Sequence, residues 1–406
     1  MGLLFRKKVL VVPTLLGSVI ILFIVSLVAF FAFRSTYSFL AMQKTPKAKI
    51  LVVEGWIDQS CVKNALELYA AKDYAYLIVT GVPITQWTYS SPFTNMADAT
   101  EGIMKRLKFQ DTIYKAIAPS NVLRDRTYST AVALKMKFEE LNLPYEDFDL
   151  YTVGAHSRRS YQMYRKAFKD DRYIGLIADV DPSFDPVKWY TTSRGFRIVL
   201  SELISYLYSS LFFHPDEDQF RQLIIDGNYS DEIRDQRAEK DVLFADSTKS
   251  PLNKKHLENF IGLNYFPINQ EYRLNTVFKV DTSESPFRMQ TTTERQPLYR
   301  KYGLLSFMLH DTLHQLNAYQ NLDYLAKNPD YRHLFIPFKD LTYKTLTYGG
   351  GRYLDIDIPE SNQVVLDFNL AYNPYCAYDD KWSCPLIPFE NYLNTDIMAG
   401  EMKFNK

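Results

Sequence analysis

The sequence predicts an α/β fold in three parts: an apolar membrane helix, a doubly wound parallel sheet, and a β-rich C-terminal domain. Three observations carry this. No residue between Lys8 and Arg34 is charged. From Lys49 onward, short apolar strands alternate with amphipathic helical stretches, the signature of a parallel sheet with crossover helices. Past residue 270 the hydrophobic period shortens to two, the period of half-buried strands.

Composition bounds the rest. At 406 residues the chain exceeds one ordinary core, since domains hold about 100–200 residues. Lys plus Arg equals Asp plus Glu, 47 each, so no excess positive charge exists to displace counterions from a nucleic acid, and no nucleic-acid partner is expected. Aromatic residues make up 15%, ample for buried cores and incompatible with global disorder.

Val9 through Phe33, as a helix rising about 1.5 Å per residue, more than covers a hydrocarbon core of roughly 30 Å. Pro13 suits a first helical turn, and Gly17, Ser18 and Ser26 are small enough for a membrane helix. A cleaved signal has a shorter apolar region ending in small residues, so residues 1–48 are expected to be a retained anchor. Arg6, Lys7 and Lys8 abut one edge, while Arg34, Lys44, Lys47 and Lys49 are spread along the other. That contrast favours the N-terminus inside, with the soluble domains outside the cytoplasm on a single-pass inner-membrane protein.

Residues 49–213 form the expected α/β domain, with strands at Ile50–Val53, Tyr76–Thr80, Thr112–Ile117, Asp149–Val153 and Tyr173–Ala178. Val62, Ala65, Leu66 and Tyr69, then Ile103, Met104 and Leu107, then Ala131, Leu134, Phe138 and Leu141, recur at helical spacing. Arg197–Phe213 reads as a helix with Val199, Leu203, Leu207 and Leu211 on its inward face; Glu202 and the serines argue against a second span. His214-Pro215 and the acidic run after it mark the start of the second domain, 214–406. Asp216–Asp246 reads as a surface helix. Tyr272, Leu274, Thr276, Phe278 and Val280 alternate with polar neighbours, as do Leu305, Phe307 and Leu309.

In a doubly wound sheet, ligands bind beyond the carboxyl ends of the strands. That rule selects Glu54-Gly55-Trp56, Thr80-Gly81, Arg126-Thr127-Tyr128 and Gly154-Ala155-His156-Ser157-Arg158-Arg159. Guanidiniums at a helix start oppose the positive end of the helix dipole, and a bound anion removes the conflict. Arg126, Arg158 and Arg159, with Thr127, Ser157 and free amides after Gly154, therefore read as a clamp for a phosphate or carboxylate. Pairing of Arg158 and Arg159 with surface carboxylates is the plainer alternative.

These residues carry a resemblance. From Lys49 to Phe213 the chain resembles the SanA/ElyC/YdcF-like family, domain of unknown function 218. The resemblance rests on Val53-Glu54-Gly55-Trp56, Thr80-Gly81, Arg126 through Ala131, Gly154 through Ser160, and Trp189 through Glu202. The family's usual pattern has glycines after the first strand, an Asn-Thr-x-Glu-Asn run, and one arginine after the histidine. Here Glu54 and Arg126-Thr127-Tyr128 replace the first two. The resemblance implies a Rossmann-like fold and a place in envelope maintenance, with S-adenosylmethionine binding in one branch and no general catalytic activity.

In the second domain, Gly349-Gly350-Gly351-Arg352 lacks the Lys-Ser/Thr pair of a phosphate loop and reads as a turn or bulge. His310-Asp311-Thr312-Leu313-His314 has metal spacing only if helical, and its flanks alternate as in a hairpin, so no metal is expected. Cys376 and Cys384 enclose a short loop and form a candidate disulfide outside the cytoplasm. Cys61, on an apolar helix face, reads as buried filler. From Asp216 onward the chain resembles a second family, domain of unknown function 1684. The matching strings include Gly262 through Pro267, Phe335 through Asp340, Thr347 through Asp355, Asp367-Phe368-Asn369, Ala371 through Tyr378, Trp382 through Pro385, Glu390-Asn391 and Ala399-Gly400-Glu401. Their polar members, Asp340, Arg352, Tyr353, Asp355, Asp367, Asn369, Tyr372, Asn373 and Glu390, read either as a ligand network or as a satisfied structural one.

The sequence therefore favours a membrane-anchored envelope protein whose α/β domain binds an anionic small molecule or lipid-linked phosphate; no cofactor is implied. The rival is a hydrolase or transferase on a phosphorylated or activated substrate, with Glu54 as base and His156 as acid or electrostatic stabiliser. An envelope scaffold is the third reading.

Overall fold

The computed structural model describes residues 13–84, 93, 95–119, 122, 124–169 and 172–405. Arg6, Lys7, Lys8 and positions 9–12 of the expected span lie outside them. The chain divides into two compact units, Met1–Asn228 and Tyr229–Lys406.

Helix α1 (Leu15–Leu40) begins one residue after Pro13-Thr14, and the Thr14 hydroxyl accepts from the Gly17 amide at 3.2 Å. It is long and apolar enough to cross a bilayer, and none of its apolar stretch is buried in the protein. The helix outruns the expected end at Phe33 because its last turns have partners. Tyr37 and Leu40 bury against Ala155, Phe184, Trp189 and Val199, and Phe33 lies 4.7 Å from Trp189, centroid to centroid.

Strands β1 (Ile50–Glu54), β2 (Tyr76–Gly81), β3 (Ile113–Ile117), β4 (Phe148–Val153) and β5 (Ile174–Asp179) form one parallel sheet in the order β3-β2-β1-β4-β5. All five expected strands are present. Side chains alternate across a strand, so each strand feeds two cores. Ile50, Val52, Ile78, Phe148 and Leu150 pack on helices α4 (Arg126–Leu141) and α5 (Ser157–Ala167). Leu51, Val53, Leu77, Val79 and Tyr151 pack on α2 (Gln59–Lys72) and α3 (Met96–Arg106). Helices on both faces make the sheet doubly wound. The strand order reverses between β1 and β4, which opens a crevice at their carboxyl ends. Gly81 lines it because a Cβ there would stand 2.5 Å from the Ala97 amide.

Helix α6 (Ser193–Leu211) closes this unit's α/β fold, but its expected inward face holds for only half its length. Val199 is buried, whereas Leu207 is 47% and Leu211 63% exposed. A four-residue spacing advances about 40° round the helix per step, so a stripe that begins facing the core ends facing out.

Helix α7 (Glu217–Ala245) contains the division between the units. The C-terminal unit then carries the short α8 (Lys254–Leu257) and strands β6 (Arg273–Val280), β7 (Phe287–Arg288), β8 (Leu298–Leu309) and β9 (Thr312–Asn321). They are followed by α9 (Leu322–Leu325), β10 (His333–Phe338), β11 (Arg352–Asp357) and β12 (Gln363–Asp367). These strands form an antiparallel sheet ordered β11-β10-β9-β8-β6-β12, with β7 paired to β8. His310 and Asp311, both at positive φ, are the two-residue turn of the β8–β9 hairpin, the geometry that matches strand twist. His310 and His314 are therefore not successive turns of a helix. Gly351, at φ +92°, closes the glycine run as a turn into β11.

The segment joining α1 to β1 is pinned by a buried carboxylate. Asp149, fully buried, accepts from the amides of Lys47 (3.1 Å) and Ala48 (3.2 Å) and from the Tyr74 hydroxyl (2.8 Å). Replacing Asp149→Ala strands all three donors and is expected to cost the N-terminal unit about 3 kcal/mol, read in calorimetry as a lowered transition for that unit. An unchanged transition would mean that other contacts hold the segment.

Candidate functional site

The crevice at the β1/β4 switch point is a cavity of about 1020 Å³ within the N-terminal unit, on the scale of small-molecule sites of about 300–1,000 Å³. Its floor comes from strand ends. Glu54, the last residue of β1, is 3% exposed, and its carboxylate accepts from the hydroxyls of Thr152 on β4 and Ser160 on α5 (2.8 Å) and from the Trp56 indole (3.2 Å). Thr80 and Gly81, at the end of β2, line the same floor. The Tyr164 hydroxyl lies 3.4 Å from the Thr80 hydroxyl, and burial, then the Glu54 charge, push it well above the ordinary tyrosine value.

His156 stands between two carboxylates. Its Nδ1 is 3.0 Å from Glu202 on α6, its Nε2 is 3.8 Å from Glu54 Oε2, and its ring meets Trp56 edge to face at 4.7 Å. Arg159 completes the group: Nε and Nη2 donate to the two Glu202 oxygens (2.8 and 3.1 Å), and Nη1 donates to the Thr127 hydroxyl (3.1 Å). Arg159 Nη2 also lies 3.0 Å from His156 Nδ1, so Nδ1 either donates to Glu202 and leaves Nε2 as an acceptor toward the crevice, or accepts from Arg159 and leaves Nε2–H facing Glu54. Burial alone would raise the Glu202 pKa. The charge and hydrogen bond of His156, then those of Arg159, outweigh it and bring the carboxyl down to about 2.

Two arginines stand on the rim. Arg126 opens α4, Arg194 lies in the first turn of α6, and both are exposed where they border the cavity. Neither makes an ion pair among the described residues. Asp125 precedes α4 in the left-handed region and provides no side-chain cap, leaving the amides of Arg126 and Thr127 without partners among the described residues. Behind them Tyr128 lines the cavity, fully buried, and its hydroxyl has no hydrogen-bond partner among the described residues. Burial, then the charge of Glu217, push it up to about 12, so it remains a donor.

Five carboxylates border the cavity against three arginines, but four of the five are committed. Besides Glu54 and Glu202, Asp58 caps α2 through Ser60, and Asp181 accepts from the Ser183 amide. Hydrogen bonds from neutral donors leave those carboxylates charged, so the lining as a whole carries more formal negative than positive charge; Arg159 is paired with Glu202, Arg194 acts on Asp58, and Arg126 stands beside the α4 start.

The structure brings together Glu54, Thr80, Gly81, Arg126, Thr127, His156 and Arg159. It corrects the arginine clamp. Arg158 is turned away, its Nε donating to the Phe39 carbonyl and its guanidinium 4.0 Å from the Phe39 ring. Arg159 is locked on Glu202. Ser157 is buried and donates to the carbonyls of Leu40 (3.0 Å) and Met42 (3.2 Å), and Gly154 packs under Tyr37; neither lines the cavity. Sequence reasoning missed Glu202 and Arg194 as cavity residues, and it selected Tyr128 without giving it a role.

In the C-terminal unit the polar residues partner one another. Arg352, 1% exposed, pairs with Asp340 (2.9 Å) and donates to the carbonyls of Ile397 (2.8 Å) and Ala399. Asn373 bonds Glu401 and the Met402 carbonyl, both at 2.8 Å. Asn369 bonds Asp367 and the Asn269 carbonyl. Tyr372 donates to Asp355, Tyr319 to Glu390, and Tyr353 to the Pro385 carbonyl. Only Arg352 Nε and Asn373 Oδ1 in this group lack a partner among the described residues. The arrangement straps the chain's last segment to the sheet. Cys376 and Cys384 are buried thiols rather than a bridge, the Cys376 amide donating to the Cys384 sulfur at 3.2 Å. Cys61 is buried, as expected.

Residues 258–402 match a family described as protein of unknown function (DUF1684). A solution NMR structure of an uncharacterised protein from Haloarcula marismortui is 35% identical over 43% of this chain and 94% of its own, with a TM-score of 0.35. No curated protein matches the chain. Resemblance of the N-terminal unit to the SanA/ElyC/YdcF-like family thus stands on its motifs alone.

The Glu202 pairing predicts a pH signature. A carboxyl held at about 2 against an ordinary 4.5 contributes about 3 kcal/mol above pH 5, and the contribution is lost as the pH falls through 2. Glu202→Gln is expected to be less stable than the parent by about that much at pH 7, with the gap closing toward pH 2 in denaturation curves. A gap that does not vary with pH would remove the ion pair from the account.

Proposed function

We propose that this chain, whose C-terminal unit belongs to the DUF1684 family, is a membrane-tethered envelope protein whose N-terminal crevice binds a phosphate-bearing molecule, free or lipid-linked. One observation carries the reading: at the uncapped start of α4, Arg126 and Thr127 line the cavity, and their amides have no partner among the described residues. A phosphate would meet those amides and Arg126 together. Arg194 supplies a second cation across the rim. The family resemblance of this unit adds envelope maintenance as the setting.

An enzymatic reading has one specific support, the Glu202–His156 pair. A carboxylate that fixes Nδ1 leaves Nε2 to exchange a proton with a ligand. Glu54, already accepting three hydrogen bonds, is better suited to stabilising a charged His156 than to abstracting a proton, which reverses the emphasis of the sequence reading. The catalytic assignment would therefore fall on His156, with Glu202 as its positioning residue.

The test uses the full chain and inorganic phosphate or pyrophosphate as probes. Ligand-induced thermal stabilisation is expected in the parent, with affinity reduced about tenfold by each of Arg126→Ala and Arg194→Ala and unchanged by Arg158→Ala. Equal losses in all three variants would point to surface charge alone, and no stabilisation in the parent would remove the phosphate site. For the enzymatic reading, release of phosphate from p-nitrophenyl phosphate is expected to fall at least about a hundredfold in His156→Ala.

A further inference from the structure

The outward half of α6 is apolar where a helix packed on a sheet edge ordinarily turns polar. Ile204 is 67%, Leu211 63% and Phe212 70% exposed, and Tyr208 and Leu207 are about half exposed. Spacings of four and three residues set Ile204, Tyr208 and Leu211 in one line along the helix. Two of these, Ile204 and Tyr208, also line the cavity, and Tyr208 continues the stripe to Phe212 at 6.2 Å between ring centroids. The stripe is thus a lip of the crevice that runs out over the surface.

Resting on the reading of the crevice as a phosphate site, we infer that its ligand carries a hydrocarbon chain, which lies along Ile204, Tyr208, Leu211 and Phe212 while the phosphate is held inside. Three features favour a chain over other cover. The lip begins inside the headgroup cavity, so a single amphiphile occupies both. The opposite flank of α6 packs on α1, with Phe39 5.6 Å from Tyr206, so the helix bearing the stripe is joined to the segment suited to a bilayer. And the chain and headgroup demands are separated along the rim, with Arg126 and Arg194 serving charge and α6 serving apolar surface. Two different sources thus meet different fates: a free phosphate fills only the cationic part, whereas a lipid-linked phosphate fills both.

The experiment measures binding of inorganic, methyl, butyl and hexyl phosphate to the full chain in phosphatidylcholine nanodiscs. Affinity is expected to rise up to about fourfold per methylene laid on the lip, and Leu211→Ser with Phe212→Ser, neither of which lines the cavity, to flatten that rise while leaving inorganic phosphate binding as in the parent. Both substituted positions are solvent-exposed, so folding is not at stake. A flat series in the parent, or an undiminished rise in the double variant, overturns the chain track with the phosphate site intact. Failure of every phosphate to bind overturns the underlying site instead.

Discussion

The crevice of the N-terminal unit is organised around a carboxyl group that water barely reaches. Removing a carboxylate from water costs several kcal/mol unless its lone pairs are met, and Glu54 sits at the end of the central strand with 3% exposure. Its donors come from three elements: Trp56 from the loop after β1, Thr152 from β4, and Ser160 from α5. Satisfying Glu54 therefore fixes β1, β4 and α5 to one another at the reversal of strand order. His156 then has a charged neighbour on one side and Glu202 on the other, and Arg159 balances the second carboxylate. The crevice is shaped by this chain of obligations.

Much of the α/β fold was legible because buried parallel strands are short apolar runs and the helices between them repeat at 3.6. The rule that sites gather at strand ends found Glu54, Thr80, Gly81 and His156. It did not distinguish Arg158 from Arg159, since successive helical residues point about 100° apart and nothing local says which one faces the crevice. Glu202 was legible as a charge that disqualified a membrane span and as the end of a resemblance string, not as a partner of His156. Its role depends on Arg159, 43 residues earlier, and no spacing rule links them. The outward drift of α6 was written in the four-residue spacing of its leucines, which a face drawn on too short a window conceals.

The C-terminal unit shows the converse. Its strands and turns were readable from alternation and from the glycine run, but its polar residues admitted two readings. The acceptors that decide between them are main-chain carbonyls, those of Ile397, Ala399 and Met402, which leave no trace in side-chain identity. A buried arginine that holds a terminal strap and one that holds a ligand look alike in sequence. The physical difference is whether the donors are spent inside the fold, and here nearly all are.

The link between α1 and the sheet bears on what the crevice can meet. Ser157 holds the carbonyls of Leu40 and Met42, Gln43 bonds Ala178 in both directions, Lys44 pairs with Leu176 through the main chain, and Asp149 holds the amides of Lys47 and Ala48. From Leu40 to Ala48 the chain is tied down at nearly every step, so it is a bracket rather than a flexible leash. A bilayer that held α1 would hold the crevice at a set height and tilt. A free small molecule has no need of that constraint, whereas a ligand whose own chain is anchored in the same bilayer can be met only at a matching height, and the rigid bracket is the feature that supplies it.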